Sequence, residues 1–203
     1  MLKWLIRRRL AAFQRKFGYN LDYAREILDA DTTALLRFAR LDGLSTYRRD
    51  VSLDVYYAVK LIGTMHEDCG PCTQLVVAMA LHDGVTPRTI AGVLEDNEPL
   101  LGDDIWLGVQ FARATLAHDP AADDLRDTIV KRWGPRALVS LAFALAAARL
   151  YPTIKYALGH GRACQRVVVA GETIVPSGAG AQAAIASGSL GRTLRTVASP
   201  TSG

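Results

Sequence analysis

The hydrophobic residues of this chain recur at intervals of three and four residues, which is the spacing of one face of an α-helix. Residues 31–42 show this pattern with a polar opposite face. Residues 53–66, 72–83 and 137–151 leave little of their surface polar, so we expect these three segments to be buried helices. The pattern predicts an all-α, compact helical bundle with those segments at its centre and no buried strand before residue 160.

Residues suited to helix ends separate the apolar segments. Side chains that cap helix N-termini precede the predicted helices, twice with a proline in the first turn, and they are Asn20, Ser52, Thr86 and Asp119. Glycines that suit the end of a helix follow, and they are Gly18, Gly43, Gly84 and Gly134. The acidic segment 95–98, closed by a proline, is expected to be a loop.

The most hydrophobic segment, 137–151, is the one that resembles a membrane span. It is shorter than the ~20 apolar residues that a transmembrane helix needs, and Arg149 and Pro152 interrupt it. We therefore interpret it as a core helix. Its many alanines allow a neighbouring helix or another subunit to approach closely.

Residues 1–20 form a separate N-terminal element. Residues 1–17 carry six basic and seven large apolar side chains and no acidic one, which predicts a basic amphipathic helix. They lack the apolar core and cleavage pattern of a signal peptide. Two interpretations follow: the apolar side docks on the protein or on another subunit, or the helix adheres to an anionic membrane surface.

Composition and charge narrow the class of protein. Of 203 residues, 50% are hydrophobic and 22% are charged, which is sufficient for a core within one domain. The net charge of +4 is concentrated in residues 1–17, so nucleic-acid binding is not expected. Three cysteines do not make the disulfide framework of a secreted protein, so we expect a reducing, cytoplasmic location.

A Cys-Gly-Pro-Cys motif at residues 69–72 carries the candidate chemistry. Two thiols at this spacing can present a thiolate or close a disulfide, and we expect a Cys69–Cys72 disulfide in the oxidised form. Pro71 fits the first turn of the following helix, and Cys69 then lies near the cap, where backbone N–H groups favour a negative sulfur. Thioredoxin shares the tetrapeptide but has a strand before it, whereas the preceding residues here indicate a helix. A zinc site would require two more ligands, so neither a metal nor a cofactor is expected.

Polar side chains beside the motif are candidate acid–base groups. A protonated His66 would stabilise a thiolate, and Glu67 is a candidate general base. Asp68 and His82 are further candidates, and each of the four is also interpretable as a solvated residue at a helix end. The predicted catalytic residues are Cys69, Cys72, His66 and Glu67.

The composition changes beyond Gly159. The valines at 167–169, an Ala-Gly pair and residues 173–175 predict a small hairpin. Residues 176–203 are rich in Gly, Ala, Ser and Thr, which predicts a flexible tail. The chain is therefore divided into an N-terminal helix (1–20), a helical domain (21–165) and a hairpin with a tail (166–203).

The order of these features is similar to that of a known family. The CxxC at 69–72 is followed by a helix, Gly84, a Thr-Pro-capped helix and then residues 106–151. In this order, over roughly residues 33–165, the chain resembles the alkylhydroperoxidase D and carboxymuconolactone decarboxylase family of all-helical proteins. The resemblance implies a homo-oligomer and, in the branch that keeps both cysteines, a thiol-disulfide oxidoreductase that reduces peroxides.

Two residues of the family's proton relay are missing. The family usually has a glutamate before the first cysteine and a histidine after the second, and here those positions hold Tyr57 and Val76. A positioned general base is typically worth about 10²- to 10⁴-fold in rate, so we expect a slow peroxidase. Disulfide exchange should suffer less, because it needs mainly a thiolate and access to it.

Three functions remain open. The first is a thiol-dependent oxidoreductase that reduces peroxides or disulfides and is regenerated by an external dithiol. The helix-start argument favours Cys69 as the attacking residue, the family resemblance favours Cys72, and Cys164 is a candidate for resolving a mixed disulfide. The alternatives are a cofactor-free lyase of the carboxymuconolactone decarboxylase type and a non-catalytic helical assembly or membrane-surface module.

Overall fold

The computed structural model describes residues 1–162 and 166–177, and these are helical apart from one small hairpin. The α-helices are α1 (Leu2–Phe17), α2 (Asp22–Ala30), α3 (Thr32–Ala39), α4 (Leu41–Ser45), α5 (Leu53–His66), α6 (Gly70–His82), α7 (Pro87–Glu95), α8 (Asp103–Ala117), α9 (Ala121–Trp133) and α10 (Pro135–Ala157). A 3₁₀ helix (Glu98–Leu100) follows α7, and the strands are β1 (Val167–Val169) and β2 (Glu172–Ile174). The predicted all-α fold is confirmed.

Helix α5 is the centre of the bundle. Its residues 55–64 are all buried, and it packs most extensively on α10 and α8 and then on α6. Glycines permit these close contacts: a Cβ on Gly63 would lie 2.7 Å from Cβ of Ala148, and one on Gly108 would lie 2.8 Å from Cγ1 of Val55. Helix α8, which the sequence pattern did not place at the centre, therefore joins the predicted central segments.

Several helices begin and end where their capping residues predict. The hydroxyls of Ser52 and Thr86 accept hydrogen bonds from the backbone N–H groups of Val55 (3.3 Å) and Thr89 (3.1 Å). Gly18 ends α1 in the left-handed conformation, with φ 61°. Local side-chain chemistry is enough to position these ends.

The prediction of a single helix over 31–42, ended by Gly43, is wrong. The segment forms α3 and α4, and Gly43 lies inside the second of them. The N–H of Arg40 donates to the carbonyl of Arg37 (3.1 Å), three residues earlier. This hydrogen bond is of the 3₁₀ type, and it ends α3. Gly43 has no positive φ, so its backbone does not terminate α4.

Helix α10 is longer than the predicted 137–151. It continues through Pro152, which the sequence indicated as its end. The missing N–H of Pro152 leaves the carbonyl of Ala148 without its helical partner, but the fixed φ of proline is compatible with a helix. One turn away, the hydroxyl of Thr153 donates to the carbonyl of Arg149 (2.9 Å).

The length argument against a membrane span is therefore also wrong. Within the described part of the chain, α10 is the one helix whose length and composition would allow it to cross a membrane. Core helices of soluble proteins meet the same criterion. One side of α10 is buried against α5, as the core interpretation expects.

Helices α1 to α4 form a layer on one side of the bundle with its own hydrophobic cluster. The buried members of this cluster are Tyr19, Leu21, Tyr23, Ala24, Leu28 and Leu35. One face of α1 packs on the cluster through Ile6, Leu10, Phe13 and Phe17. Of the two interpretations of residues 1–17, docking on the protein is the one observed for this face.

The predicted hairpin is present. Strands β1 and β2 are antiparallel, with Val167 opposite Ile174, and Ala170 and Gly171 between them both have positive φ, as in the tightest hairpin turns. The side chain of Gln74 in α6 bonds to both the N–H and the carbonyl of Val168, at 2.7 and 2.9 Å. Most of the predicted tail lies in residues 178–203, outside the described residues.

Candidate functional site

A disulfide joins Cys69 and Cys72 at the start of α6. Cys69 is the N-cap residue, Pro71 follows in the first turn, and the two cysteine Cα atoms are 5.2 Å apart. The predicted intramolecular pairing is confirmed. Cys164 lies outside the described residues.

Contacts with the end of α10 and with Arg162, just beyond it, hold the turn before the disulfide. The hydroxyl of Tyr156 donates to the carbonyl of Asp68 (2.8 Å), and the N–H of Gly70 donates to the carbonyl of Arg162 (3.1 Å). Asp68 itself has φ 49°, which turns the chain sharply between α5 and α6. The position of the cysteines therefore depends on tertiary contacts with the end of α10 and the residues just after it.

Cys72 lines a cavity of about 500 Å³ between the N-terminal layer and helices α5, α6 and α10. This volume is within the range of about 300 to 1,000 Å³ that is typical of small-molecule sites. Cys69 is completely buried and does not line the cavity, whereas Cys72 is 4% exposed and does. The residues of the wall with polar groups are Arg9, Tyr19, Tyr23, Asp42, Ser45, Lys60, Thr64 and Tyr151, and the remainder is largely apolar.

Tyr19 brings a hydroxyl to Cys72. Its Oη lies 4.0 Å from Sγ, at the outer limit of an O–H···S hydrogen bond, and the hydroxyl is the donor because a disulfide sulfur carries no hydrogen. Burial, and after it the neighbouring Tyr23, raises the pKa of Tyr19 far above its ordinary value and keeps it protonated. Sequence reasoning missed Tyr19, since no local pattern connects it with a motif 53 residues away.

The structure does not bring the predicted acid–base residues to the cavity. His66 is the exposed last residue of α5, and Oε1 of Glu67 accepts a hydrogen bond from Nε of Arg149 (2.6 Å). The ring of His82 contacts that of Phe17 edge to face at 5.8 Å. None of the four candidates His66, Glu67, Asp68 and His82 is among the described residues that line the cavity. The catalytic roles of His66 and Glu67 stay predictions.

The two positions of the missing relay have different surroundings. Val76 lies one turn beyond Cys72 on α6 and lines the cavity with it. The hydroxyl of Tyr57 donates to Oδ2 of Asp83, just after α6, and Tyr57 does not line the cavity. Only position 76 therefore shares the environment of Cys72.

Lys60 is a buried lysine in the cavity wall, with 4% of its surface exposed. Its Nζ donates to the carbonyl (3.0 Å) and the hydroxyl (3.2 Å) of Ser45 and lies 5.1 Å from the ring centroid of Tyr56. Burial lowers the pKa of Lys60 to about 8, against an opposing effect of Asp42 and Asp83. Sequence reasoning missed it, although a single lysine inside the apolar segment 53–66 was an available signal.

Helix α1 forms the outer wall of the cavity. Ile6, Arg9, Leu10 and Phe13 line it from this side, and Leu75 and Met79 of α6 are among the residues that line it from within. The first turns of α1 extend beyond this contact, with Leu2, Trp4 and Leu5 exposed by 55, 62 and 50%. The helix thus has one docked face and one exposed apolar end.

Metal binding has no support in residues 1–162 and 166–177. Within these ranges, no group of three or more His, Cys, Asp or Glu side chains is placed to hold a metal ion. His160, which we interpret from the sequence as a structural residue, pairs through Nε2 with Oε2 of Glu26 (2.7 Å).

Comparison of the chain with protein-family models, with curated proteins and with solved structures gives no match. The resemblance to the alkylhydroperoxidase D family therefore stays a prediction. The same is true of the homo-oligomer that it implies and of the cytoplasmic location.

Proposed function

We propose that this protein is a thiol-dependent oxidoreductase in which Cys69 and Cys72 pass two electrons to a peroxide or a disulfide. The observation that carries the proposal is a closed CxxC disulfide at a helix start, with Cys72 in the wall of a cavity of small-molecule size. An inert buried cysteine usually lacks both a partner thiol and a route for a substrate. The combination of the two supports redox chemistry.

In the reduced protein, Cys72 is the attacking residue. It lies in the first turn of α6, where the helix dipole stabilises a thiolate, and it faces the cavity. The hydroxyl of Tyr19 is positioned to donate to that thiolate and to lower its pKa. Cys69 is completely buried beside Cys72, which suits the resolving role.

The reaction with a hydroperoxide balances as follows. The Cys72 thiolate attacks the terminal oxygen, the O–O bond breaks, and the alkoxide leaves and takes up a proton as the alcohol. The sulfenic acid on Cys72 is then attacked by the Cys69 thiol, which forms the S–S bond and releases water. An external dithiol returns two electrons and becomes a disulfide, which restores both thiols.

The environment of Cys72 favours disulfide exchange over peroxide reduction. The cavity wall supplies a hydrogen-bond donor in Tyr19, whereas the nearest position of the family relay holds the apolar Val76. Peroxide cleavage benefits from a base that accepts the thiol proton, while exchange needs mainly a thiolate and access. We expect slow peroxide turnover and faster reaction with small disulfides.

Thiol counting with mass mapping tests this function. The reduced full chain is treated with one equivalent of hydroperoxide or of a small aromatic disulfide, and we expect loss of two thiols and a peptide cross-link between Cys69 and Cys72. The variant Cys69→Ser should stop at a sulfenic acid or a mixed disulfide on Cys72, and Cys72→Ser should not react. The control Cys164→Ser should behave as the wild type. A principal disulfide that contains Cys164 would contradict the proposal.

We propose, as a second function, adhesion to an anionic membrane surface through the exposed end of α1. Leu2, Trp4 and Leu5 are apolar but at least half exposed, and the guanidinium of Arg8 lies 5.7 Å from the ring centroid of Trp4. Basic side chains interleaved with exposed apolar ones match the charge of an acidic bilayer and its interfacial zone.

Vesicle binding tests the second function. We expect the protein to partition onto vesicles that contain phosphatidylserine and not onto pure phosphatidylcholine, and the triple variant Leu2→Gln, Trp4→Gln, Leu5→Gln should lose most of this binding. The control pair Val139→Gln, Phe143→Gln removes exposed apolar side chains from α10 and should have little effect. If the triple variant binds the vesicles as well as the wild type does, the membrane proposal is contradicted and α1 serves only to pack on the protein.

A further inference from the structure

The redox chemistry does not use Lys60, although this lysine shares the cavity with Cys72. Two of its three N–H donors bond to Ser45, and in the described part of the chain the third has no hydrogen-bond acceptor. No carboxylate of the described residues lies within 4.0 Å of Nζ, so its ion-pairing capacity is unused. The rings of Tyr56 and Tyr57, whose centroids lie 5.1 and 5.7 Å from Nζ, and the more distant Asp42 and Asp83 offset part of the cost of burying this charge. A ligand carboxylate in direct contact with Nζ would offset more of it.

The rest of the cavity is suited to hydrocarbon. Leu35, Leu36 and Phe38 of α3 line it together with Leu75 and Met79 of α6, and α1 closes the outer side. An apolar cavity with one buried polar group that fixes orientation is the usual form of a small-molecule site. Here the orienting group is a cation.

We infer that the cavity binds a single-chain carboxylate, with the carboxylate on Nζ of Lys60 and the hydrocarbon tail along the apolar wall formed by α1, α3 and α6. The ligand carboxylate accepts the third N–H of Lys60 and neutralises its charge. The tail passes Cys72, which lines the same cavity.

Two other charged side chains line the cavity, and neither sets its preference. Arg9 of α1 and Asp42 of α4 are exposed, so water and salt screen their interactions. Lys60 is buried, and its attraction for an anion acts through a medium of low dielectric constant. The buried charge therefore determines which head group the cavity accepts.

This inference rests on the proposed function in one respect, since it names carboxylate-bearing hydroperoxides or disulfides as the substrate class for Cys72. Binding is measured on the oxidised protein, in which no redox step takes place. A protein that binds carboxylates but does not reduce peroxides or disulfides would refute the proposed function alone. A protein that reduces them without a carboxylate preference would refute this inference alone.

The test is calorimetric titration of the oxidised full chain with three probes of equal chain length: dodecanoate, dodecanol and dodecyltrimethylammonium. We expect dodecanoate to bind about tenfold or more tightly than dodecanol and the cation to bind weakest. Lys60→Met should abolish the preference for dodecanoate, and Lys60→Arg should retain most of it. The control Lys155→Met changes a second buried lysine, which contacts the ring of Tyr19 but does not line the cavity, and should keep the preference.

Three results would overturn the inference. The first is equal binding of dodecanoate and dodecanol by the wild type, which decides the question even if Lys60→Met does not fold. The second is a preference for dodecanoate that persists in folded Lys60→Met, with folding checked by circular dichroism. The third is a preference lost in Arg9→Gln and kept in Lys60→Met, which would place the head group at α1.

Discussion

The hydroxyl of Tyr19 lies 4.0 Å from Sγ of Cys72, although 53 residues separate them in the sequence. The contact exists because the N-terminal layer packs on α6 and closes the cavity from outside. A hydrogen-bond donor at this place stabilises a thiolate more than a thiol. The N-terminal layer thus supplies part of the environment of Sγ of Cys72.

Replacing this hydroxyl should make the reduced protein less reactive. A hydrogen bond to a charged group contributes about 1.5 to 3 kcal/mol, so in Tyr19→Phe we expect the pKa of Cys72 to rise by about one to two units. The rate of alkylation by iodoacetamide as a function of pH measures this pKa. Tyr151→Phe is the matched control, because Tyr151 also lines the cavity but does not bond to the sulfur. Equal shifts in both variants would contradict a specific role for Tyr19.

An imidazole at position 76 should increase peroxide reduction. Val76 and Cys72 line the cavity one turn apart on α6, so Val76→His places a base beside the sulfur. We expect peroxide consumption to rise by about tenfold or more, with a smaller change in disulfide exchange. The control Ala78→His adds the same group to α6 at a position outside the cavity. An equal gain in the control would show that the imidazole acts in solution and not at Cys72.

Lys60 should make stability depend on pH in a defined direction. Burial lowers the pKa of Lys60 to about 8 from an ordinary value of 10.5, so between these values the unfolded chain binds more protons than the folded one. The free energy of unfolding of the wild type, relative to Lys60→Met, should therefore rise with pH over this interval, by up to about 3 kcal/mol. Urea unfolding at several pH values measures it. The exposed Lys131→Met serves as control, and a flat difference between wild type and Lys60→Met would contradict the lowered pKa.

The contact between α5 and α10 should tolerate no side chain at Gly63. A Cβ there would lie 2.7 Å from Cβ of Ala148 and 3.3 Å from Cδ1 of Leu145, so Gly63→Ala forces the two central helices apart. We expect a loss of about 1 to 3 kcal/mol in thermal or urea unfolding. Gly43→Ala is the matched control in α4, where a Cβ meets nothing within 4 Å, and it should stabilise by about 0.5 to 1 kcal/mol. A destabilised Gly43→Ala would indicate that helix propensity does not govern that site.

Local patterns were sufficient for most of the fold. The caps at Ser52 and Thr86 and the Ala-Gly turn of the hairpin depend on neighbouring residues, and the sequence predicts them correctly. The wrong predictions of helix ends concern residues that usually interrupt a helix but are tolerated inside one here. Gly43 lies inside α4 and Pro152 inside α10, because neither the backbone angle nor the surrounding packing requires a helix to end there.

The candidate site was predictable only in part, for a physical reason. The disulfide depends on a local spacing, and the sequence predicts it. The positions of Tyr19, Lys60 and the cavity depend on how α1 to α4 pack on α5 and α6, which no local pattern contains. Proximity to Cys69 in the sequence favoured His66 and Glu67 instead, although Glu67 is paired with Arg149.

The turn that carries the disulfide is also held by hydrogen bonds that do not depend on the S–S bond. The N–H of Cys69 donates to the carbonyl of Thr64 (3.4 Å). Tyr156 of α10 binds the carbonyl of Asp68, and the carbonyl of Arg162 accepts from the N–H of Gly70. Opening the S–S bond therefore leaves the backbone frame in place, and the oxidised and reduced forms should share one molecular shape. Under the proposed function, electron transfer at this pair would require little reorganisation of the chain, and a reductant would distinguish the two forms by sulfur chemistry and not by conformation.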